Sequence, residues 1–343
     1  MSEPNSPIPT STLEYSQALP MPEPRRLRQR YWLHILLLLA TCFTTMVMGA
    51  RMQYNFDHNV PALSLSDESV PYFPAAWILS HPGWFWRGWP FATTVMLFFL
   101  AHEMGHYLYC RYYGIRATLP FFIPLPTLIG TMGAVILIRS RIRSRAELFD
   151  VGIAGPIAGF VVAFLTLALS LQWSKPISIH SGAGEYELGF PLIFRFVQWG
   201  LSVTTHSAHL PLQQVLLHPA AIAAWVGMFA TSLNLLPGGQ LDGGHIVFAI
   251  SPNAHKFISL TTILVLLPMA YYLWMGWWLW AILLQVSSFR HPQVTEWPRV
   301  RGPRIWLAVF ALMMLVLTLT PHPFLHSSTI EFRKQIRDEW RLR

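Results

Sequence analysis

His102-Glu103-Met104-Gly105-His106 sets two imidazoles four residues apart with a carboxylate between them. On a helix, positions i and i+4 share a face. Both rings could then hold one metal ion while Glu103 acts as general base, which is zinc-pincer spacing. A structural zinc is closed by four protein ligands, whereas a catalytic zinc keeps three and a water. The two cysteines, Cys42 and Cys110, lie in apolar stretches without metal-type spacing, so the sequence lacks a cysteine cluster for the closed kind. The third ligand should be another ionisable residue stranded in apolar sequence. Asp242 is the only acid between Glu187 and Glu296, and Gly243 and Gly244 follow it. Its ordinary alternative is a turn or cap residue beside Gly243. His245 is a weaker ligand candidate. His206, His209, His218 and His255 fall in loops or near interfaces and read as ordinary.

Composition says what surrounds these groups. Of 343 residues, 53% are hydrophobic and only 12% charged, with 15 Trp; that charge content is about half the soluble norm. Mean hydropathy is +0.40. These values exclude a disordered chain, a coiled coil and a disulfide scaffold, and they weigh against a soluble enzyme. The chain reads as an all-α polytopic membrane protein. A net charge of +8 could suggest nucleic acid, but Lys and Arg also accumulate in cytoplasmic loops. No nucleic-acid partner is needed. An H-E-x-x-H string arises by chance in soluble chains. At the end of an apolar helix, three ionisable residues within five are expensive unless paired or metal-bound.

Residues 1–30 begin with a Pro-rich stretch free of Lys and Arg up to residue 24, and read as a disordered cytoplasmic tail. It resembles neither a signal peptide nor a transit peptide. Residues 31–87 read as a first span (31–50) and a polar, aromatic external loop. Residues 88–290 hold the core. A helix carries the His-Glu motif to about Tyr113. Residues near 119–138, with Pro120, Pro124, Pro126 and Gly130-Thr131-Met132-Gly133-Ala134, fit a re-entrant β-hairpin-like segment better than a straight helix. Val151–Trp173 is a span with Gly152, Gly155 and Gly159 at helical spacing, open to close approach by a neighbour. Residues 196–218, interrupted by Pro211, could be interfacial. Residues 219–236 form a span ending at Pro237-Gly238-Gly239. Residues 257–289 are one long helix or two short ones broken near Gly276. Residues 291–343 hold a last span (305–320) and a charged tail. The total is about six to seven transmembrane helices, without a visible internal repeat.

Charge gives the orientation. With the N-terminal tail inside, the 111–145 region with six Arg and the 290–304 loop with four Arg are cytoplasmic. The active site then faces the cytoplasmic side. Five cations in the C-terminal tail conflict with this when the span count is odd.

The paired motifs resemble the site-2 protease family of intramembrane zinc metalloproteases. His102–His106 stands with Asn234-Leu235-Leu236-Pro237-Gly238-Gly239-Gln240-Leu241-Asp242-Gly243, which looks like that family's N-x-x-P-x-x-x-L-D-G signature. Gly130–Ala134 is similar to its re-entrant segment, and Gly152-Ile153-Ala154-Gly155-Pro156 to the helix that follows. The resemblance spans roughly 88–290, with no evident PDZ-like insert, as in the bacterial and plastid homologues. It implies one zinc per chain held by His102, His106 and Asp242, with Glu103 as catalytic acid/base. It also implies that Asn234 positions substrate or stabilises the oxyanion. The segment Gly130–Ala134, with Gly130, Thr131 and Gly133 as its site residues, would offer an edge to an extended substrate. The expected activity is hydrolysis of peptide bonds in single-pass membrane proteins within the lipid bilayer, with a bacterial inner membrane as location. Any upstream protease is unidentified. A membrane oxygenase or desaturase would need further histidine boxes. A transporter would be expected to show paired repeats.

Overall fold

The computed structural model describes residues 30–64, 70–177, 187–205, 211–288, 294, 300–325 and 327–342. The expected N-terminal tail, apart from Arg30, lies outside these residues, as do His206 and His209. Among the described residues, twelve helices run in chain order: α1 Tyr31–Asp57, α2 Ala75–Ser80, α3 Pro82–Arg87, α4 Trp89–Tyr112, α5 Arg145–Ser170, α6 Leu192–Thr205, α7 Pro219–Asn234, α8 Asp242–Ile250, α9 Pro252–Tyr272, α10 Trp277–Ser288, α11 Pro303–Thr318 and α12 Thr329–Leu342. Also among the described residues, four short strands, β1 Phe121–Pro124, β2 Thr131–Val135, β3 Lys175–Pro176 and β4 Val215–Leu216, form two antiparallel pairs, β1–β2 and β3–β4.

Three helices among the described residues are long and apolar enough to cross a membrane: α1, α5 with its following turn, and α9. This is fewer than the sequence predicts. The 24-residue α4 is long enough, about 36 Å at 1.5 Å per residue, but its two histidines and Glu103 dilute its apolarity. Helices α7, α10 and α11 have 16, 12 and 16 residues.

The first helix does not stop at Ala50. It continues to Asp57 because Arg51 is buried and satisfied, donating to the carbonyls of Ser64, Val70 and Pro71. Asn55 donates to Ala62 and Ser64 carbonyls from the next turn. The expected external loop also contains the short helices α2 and α3. The 257–289 stretch is broken, α9 from α10, at 273–276.

α4, α5 and α7 form the centre. Phe98 of α4 shares one buried apolar cluster with Ala163 of α5 and Ala224 and Met228 of α7. α5 starts with a capping box: Ser144 Oγ accepts from Glu147 N, and the Glu147 carboxylate accepts from Arg143 N. The β1–β2 hairpin packs on α1. His34 Nδ1 donates to Pro120 O at 3.1 Å, and its ring stacks on Phe121. Thr44 Oγ1 donates to Gly130 O at 2.6 Å. Gly130 has φ +75 and lies directly on the Thr44 backbone, so a side chain there is excluded twice over.

One ion pair ties distant segments together. Arg304, in the first turn of α11, makes a two-pronged contact with Asp150 of α5 at 2.8 and 2.7 Å. The Tyr113 hydroxyl also donates to Asp150. Burial and this bond push the Tyr113 hydroxyl up to about 12, so it remains a donor at neutral pH. Fork geometry matches a carboxylate in a way lysine does not. Replacing Arg304 by Met leaves a largely buried carboxylate with one partner. The expected cost is about 2 kcal/mol, read as a lowered unfolding midpoint in detergent, with Arg304→Lys recovering only part of it.

Candidate metal centre

His102, Glu103 and His106 sit in the last three turns of α4 and are all buried. Asp242 is the first residue of α8, where α7 has ended at Asn234 and the chain has turned through Pro237-Gly238-Gly239. Gly239 takes φ +56, and its N–H is held by Ser259 Oγ of α9. His255, expected to be ordinary, is buried and donates from Nε2 to Gly239 O at 3.0 Å. It therefore props the turn that aims Asp242. Gly243 and Gly244 are required for the same reason: a Cβ on either would strike backbone carbonyls of Leu235 or of the 238–239 turn.

The result is a near-equilateral triangle of donor atoms. His102 Nε2 and His106 Nε2 are 3.2 Å apart, and Asp242 Oδ2 is 3.3 and 3.4 Å from them. This is the one group of three or more potential ligands found among the described residues. Ligands about 2.0 Å from a tetrahedral zinc are separated by roughly 3.3 Å, so the donor set fits that ion. The lone-pair direction is fixed as well. His106 donates from Nδ1 to Val151 O at 2.7 Å, which leaves Nε2 as the metal-facing nitrogen.

That carbonyl can reach the ring only because α5 lies almost in contact with α4. A Cβ on Gly155 would overlap the His106 imidazole, one on Gly105 would strike Ala154 O, and one on Gly159 would crowd Phe98 and His102. The glycine spacing read in the sequence thus serves His102 and His106 directly.

A cavity of about 330 Å³ opens on the triangle. Glu103, Asn234, Gln240, Leu241 and His245 line it along with His102, His106 and Asp242. His245 shares the cavity but stands outside the ligand group. Asn234 places its amide nitrogen 3.2 Å from His102 Nε2. Glu103 accepts a backbone hydrogen bond from Ile136, just beyond β2.

Of the segment Gly130–Ala134 expected to offer an edge, Ala134 reaches the cavity. Ala134, Val135, Ile136 and Ile138 line it. Gly130 is held on α1. Thr131 is buried, its hydroxyl donating to Ile123 O and accepting from Gly133 N, and Gly133 packs on Phe99. The structure brings none of those three to the cavity wall. Sequence reasoning also passed over Asp150 and the Val151 carbonyl. An acid at the mouth of an apolar span beside an arginine stripe was the available signal for Asp150; backbone acceptors leave none.

Two histidines and a carboxylate around a three-donor site, with a glutamate between the histidines, define a metallohydrolase-like centre in a helical bundle. The family model for peptidase family M50 matches residues 90–275. The chain belongs to that family, the site-2 protease family, and is a membrane protein. It is 30% identical over 321 residues to a protein of Arabidopsis thaliana named probable zinc metalloprotease EGY1, chloroplastic, covering 88% of this chain and 54% of the relative. The rice protein of that name is 30% identical over 314 residues, covering 88% and 52%. Arabidopsis EGY2, likewise named a probable chloroplastic zinc metalloprotease, is 31% identical over 164 residues, covering 48% and 29%. The chain spans about half the length of the two EGY1 proteins it matches.

Gly155→Ala should place a methyl group on the His106 ring and displace Nε2. Bound zinc, measured by elemental analysis of the purified protein, is expected to fall by tenfold or more, on the order seen when a metal ligand loses its orienting support. Gly200→Ala, at an unobstructed helical glycine, should leave the metal content unchanged.

Proposed function

We propose that this chain is an intramembrane zinc metalloprotease that hydrolyses peptide bonds of single-pass membrane substrates. The observation that carries the reading is the donor triangle, with edges of 3.2, 3.3 and 3.4 Å, closed beside Glu103. His102, His106 and Asp242 would hold one zinc per chain. When bound, zinc supplies Lewis acidity that polarises a carbonyl and makes water nucleophilic near neutral pH.

The chain's own residues do the rest. A Glu103 carboxylate oxygen takes a proton from the attacking water and returns one to the leaving amine. His106 is kept in one tautomer by Val151 O. The Asn234 amide can donate to the substrate carbonyl oxygen as negative charge develops there. The backbone of Ala134–Ile136 would offer the extended edge, overlapping the segment Gly130–Ala134 expected from sequence at Ala134, with Gly130 just before β2 and Thr131 and Gly133 within it. A helical substrate must unwind before pairing with that edge, so Gly or Pro in its helix would favour cleavage.

α1, α4, α5, α7, α9, α10 and α11 would make seven traverses, with the β1–β2 hairpin re-entrant from the metal-centre end. Supporting this, the starts of α1 and α11, the end of α4 and the 237–251 segment are linked to that end. The ends of α1, α5, α9 and α11 lead away from it. Arg111, Arg116, Arg139, Arg141 and Arg143 cluster at the metal-centre end, which supports a cytoplasmic orientation in a bacterial inner membrane. In a plastid, where the relatives are named as residing, the equivalent side is the stroma. The core would comprise 88–290, flanked by 31–87 and 291–343. A di-iron oxygenase is less well supported, because a single three-ligand group stands among the described residues.

The test is cleavage of a single-pass substrate by the purified chain in liposomes. Glu103→Gln should retain zinc and lose about 10²–10⁴-fold in rate; cleavage that survives both this change and chelation would defeat the zinc mechanism. Asn234→Ala should retain zinc and substrate binding while lowering the turnover rate by about 10²-fold. An effect on KM alone would assign Asn234 to ground-state binding instead.

A further inference from the structure

α12 has no role in the metal centre, yet its sequence is strongly two-sided. Phe332, Ile336 and Trp340 recur every fourth residue and make one stripe. They are 48%, 40% and 77% exposed. Arg333 and Arg337 each follow one residue later and border that stripe, both exposed, and Asp338 lies on the back of the helix. The helix is well started: Ser328 and Glu331 cap each other through Ser328 Oγ to Glu331 at 2.9 Å and Glu331 N to Ser328 Oγ at 3.2 Å.

Its first turn is also fixed in place. Thr329 Oγ1 donates to Ala270 O near the end of α9 at 2.8 Å and accepts from Trp278 Nε1 of α10 at 3.1 Å. Met275 N, in the turn between those helices, donates to Ser327 O at 2.9 Å. Tyr272 and Trp278 are exposed at this turn, as amphipathic rings are at a membrane–water boundary. The pinned end of α12 is therefore at interface depth, at the end of α11 remote from Arg304 and Asp150.

We propose that α12 is an interfacial helix that lies on the anionic headgroups of the leaflet opposite the metal centre. Phe332, Ile336 and Trp340 enter the acyl boundary, and Arg333 and Arg337 engage lipid phosphates. A bilayer fits better than a second copy of the chain. Three apolar side chains fall well short of the roughly 800 Å² per partner that a stable protein interface buries, whereas they suit a shallow lipid-facing stripe flanked by cations. This inference rests on the seven-traverse topology given above.

The test uses the full chain in phosphatidylcholine nanodiscs, with or without phosphatidylglycerol, in a Cys42→Ser, Cys110→Ala background. A polarity-sensitive fluorophore is attached through Ile336→Cys, Asp338→Cys or, as a mid-span control on α9, Leu264→Cys. Quenching by bromine-labelled acyl chains is compared with quenching by aqueous iodide. With phosphatidylglycerol present, position 336 should be quenched by lipid and shielded from iodide, and position 338 the reverse. Arg333→Gln with Arg337→Gln should lower the docked-to-free ratio by about thirtyfold, at about fivefold per cation.

If position 264 is not lipid-quenched, the topology fails. If 264 is lipid-quenched but 336 is as open to iodide as 338, the topology stands and the docking of α12 is overturned. Shielding of 336 that ignores phosphatidylglycerol and appears only with two copies per disc would assign the stripe to self-association, which also overturns it.

Discussion

The metal centre depends on how closely the backbone of α5 lies against α4. A histidine holds a metal well only when its second nitrogen is fixed, and for His106 the fixing group is a main-chain carbonyl, Val151 O. A carbonyl cannot reach out as a side chain does, so the whole helix must come to the ring. Gly105 on one helix and Gly155 and Gly159 on the other remove the atoms that would hold them apart. Lipid gives little hydrophobic drive for helix association, so such contacts rely on packing and hydrogen bonds. Here the closest packing and the ligand-orienting bond are one contact.

The second half of the site is built by a different device. Asp242 comes from beyond a helix break, and a break in apolar surroundings exposes main-chain donors and acceptors that must be paired. Ser259 Oγ takes Gly239 N, His255 Nε2 donates to Gly239 O, and Thr262 Oγ1 donates to Pro237 O. All three belong to α9, which holds the turn rigid without entering the cavity. Asp150 and Arg304 do the same for α5, locking its first turns to α11 one residue before the carbonyl that His106 requires.

How much of this was legible in the sequence follows from the range of each interaction. His102 and His106 are four residues apart, so helical geometry alone puts them together. Asp242 was legible from the cost of a lone acid beside an apolar span, although 136 positions separate it from His106. The hairpin was legible as an element, because three prolines and paired glycines forbid a straight helix. Its register was not. Which residues face the cavity is set by Thr44 and His34 of α1, which hold Gly130 and Pro120. Those contacts span 86 residues and leave no local pattern. The length of α1 was misjudged for a related reason. Arg51 looks like the end of a span until the carbonyls that bury it are seen.

The proposed seven traverses would put α12 on the side opposite the arginine-rich loops, although its sequence is cationic. The positive-inside bias acts through short loops close to the spans, and the first helix usually dominates. At the metal-centre end, Arg139, Arg141 and Arg143 sit in the short link between hairpin and α5 and are exposed to solvent. At the other end, Arg87 is paired with Asp57 at 3.0 Å and stacks on Trp84, so its charge is locally compensated. The cations of α12 follow the last traverse and share their helix with Glu331, Asp338 and Glu339. In the proposed topology they come after the loops that would set orientation, and as part of a two-sided helix they would have an interface to occupy. A basic C-terminal helix is therefore compatible with an odd number of spans, and in the proposed topology the orienting charge asymmetry would be carried by the loops around the metal centre.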